Sequence, residues 1–159
     1  MKFKTVNDLA TIDVKDMKID KVVRSDLKLT FLFSGGIIKA ANSNNTRYED
    51  VYCMEMSMDL YQIEFKNFCL QGYRYYDPDG ELLEEKPDTV LDENGIVEAL
   101  KKAEGSTVFE FGPEGDHYTL VYDVPDEDGD IIETYQIDFT CEKSVASWDR
   151  FSGPVNGSN

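Results

Sequence analysis

The chain reads as a mainly β protein of the α+β class. We expect a curved antiparallel sheet, a partly open barrel or sandwich of six or more strands, with one short helix near 93–104. Three observations carry that reading. Apolar residues recur at every second position in successive runs, the spacing of strands with one buried face. The buried parity changes inside one long stretch, which a strand does only at a bulge or a corner. Turn-forming clusters of Gly, Pro, Asn, Asp and Ser separate the runs.

The first clear run is 27–33, where Leu27, Leu29, Phe31 and Phe33 are apolar and Lys28 and Thr30 lie between them. Ser34-Gly35-Gly36 reads as a break, followed by a short apolar run at 37–41 and a loop at Asn42-Ser43-Asn44-Asn45-Thr46. From Tyr52 the apolar positions are Tyr52, Met54, Met56, Met58 and Leu60; then Tyr61, Ile63 and Phe65 take over, and then Phe68 and Leu70. These switches predict bulges or corners near Leu60 and Asn67.

Tyr73-Arg74-Tyr75-Tyr76 runs into Asp77-Pro78-Asp79-Gly80. Pro78 presets φ, Asp77 caps and Gly80 accepts a left-handed backbone, so a hairpin to 81–85 is expected. The helix is read from Ile96, Val97, Leu100 and Ala103 on one face, Asp92 or Asn94 as cap, Lys101 and Lys102 in the last turn and Gly105 as stop. Three strands complete the pattern. The first, 107–111, turns Phe109 and Phe111 inward; the second, 117–124, turns Tyr118, Leu120, Tyr122 and Val124 inward. The third, 131–141, turns Ile131, Tyr135, Ile137, Phe139 and Cys141 inward, after a hairpin loop at Pro125-Asp126-Glu127-Asp128-Gly129-Asp130. Phe31, Phe33, Ile63, Phe65, Phe109, Leu120, Ile137 and Phe139 are the expected core. No repeat or linker breaks the chain, so residues 1–151 read as one globular domain and 152–159 as a flexible tail.

A composition of 41% hydrophobic and 12% aromatic residues is too apolar for a disordered chain, even at a net charge of -16 over 159 residues. The charged N-terminal segment has no apolar stretch of leader length after it, and no run reaches the ~20 apolar residues of a spanning helix. The three cysteines, Cys53, Cys69 and Cys141, cannot all pair, which points to free thiols in a reducing cytoplasm.

The charge is zoned. Residues 1–76 carry 11 basic and 10 acidic side chains, whereas 77–138 carry 3 basic and 20 acidic. That field repels nucleic acid and anionic membrane and attracts cationic partners. It also rules against a nucleic-acid stacking role for Tyr73, Tyr75 and Tyr76 with Arg74; cross-strand packing is the simpler use of those rings.

Motif chemistry is sparse. An EF-hand loop needs acids at positions 1, 3 and 5, glycine at 6 and glutamate at 12. Anchored on Gly129, positions 1 and 12 are Val124 and Tyr135; on Gly80, Tyr75 and Lys86; on Gly95, Val90 and Lys101. All three fail. The cysteines and His117 lack the close pairing of zinc ligands. His117 is the only histidine available as a base, and it alternates with Thr119 and Asp123 on a strand's polar face. No nucleophile elbow, phosphate loop or dinucleotide fingerprint occurs. No metal, cofactor or catalytic residue is therefore assigned. The methionine stripe reads as core filler, and Trp148 with Phe151 as a seal on the core.

The expected function is a non-enzymatic binding protein whose acidic face engages a basic protein, as an immunity protein or a nucleic-acid mimic does. The expected contacts are the loop acids Asp126, Glu127, Asp128 and Asp130, with Glu84, Glu85 and Asp88 as a second group. The alternatives are a small-molecule binder with the methionines and tyrosines lining a cavity, and a hydrolase.

Overall fold

The computed structural model describes residues 1–129 and 132–155; the expected loop acid Asp130, the inward Ile131 and residues 156–159 lie outside the described residues. Strand accounts for 59% of the described residues and helix for 9%, so the protein is mainly antiparallel β. It opens with β1 (Phe3–Val6), a 3-10 turn at Leu9–Thr11 and β2 (Ile12–Asp13). β3 (Ile19–Arg24) turns into β4 (Lys28–Ile38), which pairs along its length with β5 (Val51–Tyr61). β6 (Glu64–Leu70) comes next, followed by the short hairpin of β7 (Tyr73–Tyr76) and β8 (Leu82–Lys86), and then β9 (Thr89–Val90). Helix α1 (Glu93–Ala103) begins where the Asp92 carboxylate accepts from the Gly95 amide, a cap that satisfies one of the helix's orphan donors. β10 (Thr107–Glu114), β11 (His117–Pro125), β12 (Ile132–Thr140) and β13 (Lys143–Pro154) complete the chain.

The strands form two large sheets. Sheet A has the order β1-β13-β5-β4-β2, with β3 also on β4, and it curls into a half-barrel. Sheet B has the order β10-β11-β12-β6-β9. One apolar cluster draws on both sheets and the helix, from Phe31, Met56 and Trp148 to Leu120, Tyr122, Ile137 and Leu100. The expected corner near Leu60 is the passage from sheet A to sheet B, where Gln62 takes a φ of 49°. The expected bulge near Asn67 is a register slip: Asn67 pairs with Asp138, but Phe65 pairs with Phe139.

Several expectations are corrected. Ser34-Gly35-Gly36 does not break a strand; β4 runs through it and changes its buried face there. The switch is shared across the sheet. Glu55 sits opposite in the left-handed region (φ 42°), and Asp149 and Arg150 are both exposed on β13. A Cβ at Gly35 would stand 2.8 Å from the Cys53 carbonyl oxygen, so the close backbone approach at this corner requires glycine. Because Glu55 resets the parity, Val51 and Cys53 are buried with Met56, Met58 and Leu60, while Met54 points to solvent. Phe109 is 57% exposed because it is the extra residue of a bulge: Val108 pairs with Tyr122 and Glu110 with Val121. Leu27 falls in the β3–β4 turn and is exposed. Ile63 and Phe65 pack only half-buried against the core. The C-terminal strand extends past the expected tail boundary, with Gly153 and Pro154 paired to Tyr52 and Val51.

Trp148 is fully buried, stacked on Phe3 at 5.8 Å and edge-on to Phe151 at 5.9 Å, the sealing role expected of it. Among the described residues no helix is long and apolar enough to cross a membrane.

Candidate interaction surface

The zoning of charge along the chain becomes a zoning of layers. Sheet A is built from the near-neutral segments, whereas β8, α1, β10, β11 and most of β12 come from the acidic one. Within the acidic layer, the β7–β8 hairpin leaves sheet B next to the first residues of β12. The Gln71 amide donates to the Thr134 carbonyl at 2.8 Å, which brings the chain entering β7 beside the start of β12. A surface cleft of about 310 Å³ there is lined by Gln71, Tyr73, Tyr75, Lys86, Ile132 and Glu133, so the β7–β8 hairpin and the start of β12 flank one space.

The β7–β8 hairpin is an arm. Its turn forms as the sequence dictates: Asp77 Oδ1 accepts from the amides of Asp79 and Glu81 at 2.9 and 2.8 Å, and Gly80 takes a φ of 86°. Its base is pinned by the Gly72 amide donating to Asp88 Oδ1 at 2.7 Å. Gly72 lies against the opposite strand so closely that a Cβ would collide with the Lys86 carbonyl. Between turn and base, every residue of both strands is exposed. Tyr75 is 57% exposed and Leu83, left unpaired at a register slip, is 68% exposed. Tyr76 and Leu82 are exposed with them.

The expected contact acids divide by role. Glu84 accepts from the Tyr73 hydroxyl at 3.0 Å, a bond that raises the phenol's pKa, and Glu85 pairs with Arg74 at 2.9 Å. Asp88 anchors the arm. Thus the second expected group builds the arm's own frame, at its exposed surface. In the loop, Asp126, Glu127 and Asp128 are all exposed, and the Asp126 carbonyl closes the turn by accepting from the Gly129 amide at 3.0 Å. Of the three lysines in the acidic segment, Lys101 and Lys102 are engaged by Glu98 and Glu133.

A second polar constellation lies on the outer face of sheet B. Asp138 accepts from Thr119 Oγ1 at 2.7 Å and from the side-chain amide of Gln136 at 3.1 Å. His117 Nε2 stands 3.8 Å from Asp138, beyond hydrogen-bond reach, while its Nδ1 lies 3.1 Å from Asp116 and holds that carboxyl below its usual pKa. The Thr119 proton is committed to Asp138, not to the imidazole, so this arrangement does not activate a hydroxyl nucleophile. Burial pushes the Cys53 thiol up to about 12 and raises Cys69 and Cys141 as well, which disfavours the reactive thiolate. Met56 and Met58 are packed in the core, not along a cleft. Among the described residues no three His, Cys, Asp or Glu side chains converge to hold a metal.

Reading the sequence did not find the arm's exposed face. Tyr73, Tyr75 and Tyr76 do not pack across strands as the alternation predicts, but stand exposed with Leu82 and Leu83. The available signal was the run Leu82-Leu83-Glu84-Glu85-Lys86, which lacks the alternation of a half-buried strand. No family model, curated protein or solved structure matches the chain.

Proposed function

We propose that this chain is a non-enzymatic binding protein that engages a basic protein partner through the acidic end of sheet B, with the β7–β8 arm at its centre. The observation that carries this reading is the exposure of Tyr75, Tyr76, Leu82 and Leu83 on a two-stranded ribbon rimmed by carboxylates. A ribbon with no covered face is marginal in water, and tyrosine is enriched at the centres of binding surfaces. The segment 73–88 carries six acidic and two basic side chains, and the 126–130 segment carries four more acids. That combination suits a cationic partner with an apolar recess: the field steers encounter and the arm's rings hold the complex.

The test is kinetic. After capture of the partner from the native host and its purification, binding is measured against a variant with Asp126, Glu127, Asp128 and Asp130 as Asn or Gln. The expected result is association slowed by about tenfold at low salt, a flatter salt dependence and nearly unchanged release. Unchanged association at every ionic strength would show the loop acids to be solvated bystanders.

A further inference from the structure

The opposite side of the molecule carries a feature that the acidic surface does not use. On the outer face of sheet A the register builds three rows. Lys4, Ser147, Ser57 and Leu32 lie side by side in the first, and Val6, Val145, Asp59 and Thr30 in the second. The third holds Lys143, Tyr61 and Lys28. Small side chains in the middle of the first row, with longer ones around them, leave a depression of about 450 Å³.

The chemistry of this depression is that of an oxyanion site. Asp59 on its floor is already neutralised: it accepts from the Thr30 hydroxyl at 2.6 Å and pairs with Lys28 at 3.6 Å. Lys143 and Lys28 flank the Tyr61 ring, with their ammonium nitrogens 5.4 and 5.3 Å from its centroid, a contact that holds each charge in place. Lys4 and Lys143 have no ion-pair partner among the described residues. The Ser57 and Ser147 hydroxyls line the depression, and neither makes a hydrogen bond to another described side chain or backbone group. A hydroxyl that opens onto a cavity with no protein partner can donate to an oxyanion seated there. Leu32 and Val145 supply apolar surface next to it.

We propose that this depression binds a small organic anion. Its oxyanion end sits between the Ser57 and Ser147 hydroxyls under Lys4 and Lys143, and its short apolar body lies over Leu32 and Val145. The net charge of -16 excludes long polyanions, which feel the whole molecule. A small anion feels mainly the charges near it, and around this depression Lys4, Lys28 and Lys143 outnumber Asp59. This site is independent of the acidic end of sheet B and does not rest on its function.

The experiment is a titration of the isotope-labelled full chain with sodium benzoate, and separately with inorganic phosphate, at constant ionic strength. Benzoate is expected to give saturable amide shifts at Lys4, Ser57, Tyr61 and Lys143, and phosphate weaker shifts at the same residues. Lys143→Gln alone, and Lys4→Gln with Lys143→Gln, should weaken benzoate binding, the pair by about tenfold or more. Lys66→Gln, which removes an exposed lysine paired with Glu64 on sheet B, should leave it unchanged. Shifts that climb linearly without saturation, that appear equally around Lys66, or that survive in the double variant overturn the site, as does the absence of any shift.

Discussion

Two hairpins of this protein use the same residues to opposite ends. In the β11–β12 ribbon, Tyr122 stacks on Tyr135 at 5.4 Å and Tyr118 on Phe139 at 6.0 Å. Tyr122 is fully buried, and its hydroxyl reaches the Ala99 carbonyl of α1 at 2.6 Å. In the β7–β8 arm, Tyr73 and Tyr75 stand 4.9 Å apart, a similar ring-to-ring contact, but both face water. The first ribbon is flanked in its sheet by β10 and β6 and covered by the helix and sheet A; the second pairs only with itself. Alternating aromatics make a strand in both places. Whether a ring then stabilises the fold or waits for a partner depends on a second layer that the local sequence does not encode.

The contrast is sharpest at the level of single tyrosines. Tyr122→Ala removes a buried ring and should destabilise the protein by about 3–5 kcal/mol, whereas Tyr75→Ala should shift stability by no more than about 0.5 kcal/mol. Urea denaturation of the two variants checks this, and comparable losses would mean that the arm is part of the core. A smaller step isolates the hydroxyl. Tyr122→Phe gives up a buried bond and should cost about 1–2 kcal/mol, while Tyr73→Phe, whose partner Glu84 is exposed, should cost almost nothing.

The packed layer also magnifies its own faults. Thr5 on β1 is buried with its hydroxyl unpartnered. Thr5→Val keeps the shape and removes the orphan, so it should stabilise by about 1 kcal/mol, read as a rise in the denaturation midpoint. A loss of stability would reveal a partner for that hydroxyl.

Much of the fold was legible because it is written in local patterns. The alternation at 29–33, 118–124 and 135–139, the turn at Asp77-Pro78-Asp79-Gly80 and the Asp92 cap are each settled by residues close in sequence. The misreadings occur where a neighbouring strand decides. Phe109 alternates correctly with Phe111 in sequence, but a bulge against β11 turns it outward. Met54 continues the methionine stripe on paper, but Glu55 adopts a left-handed backbone at a corner that three strands make together. Composition alone marks 42–46 as a loop; that Asn45 is buried and donates to both the Ile38 and Glu49 carbonyls depends on where those carbonyls lie. For the candidate surface, the acids were legible from charge zoning, but the arm's rings were not. Exposure is a property of what fails to cover a residue, and a single sequence does not show that.

The central claim is that the arm's apolar side chains hold a basic partner. The most direct measurement is the dissociation rate of the purified complex for Tyr75→Ala with Leu83→Ala, beside the unaltered chain. We predict that release accelerates by about tenfold or more while association and the denaturation midpoint stay near those of the parent, because the pair lies in the interface and outside the core. Release at the parental rate, with folding intact, would contradict the claim and leave the arm without a part in recognition.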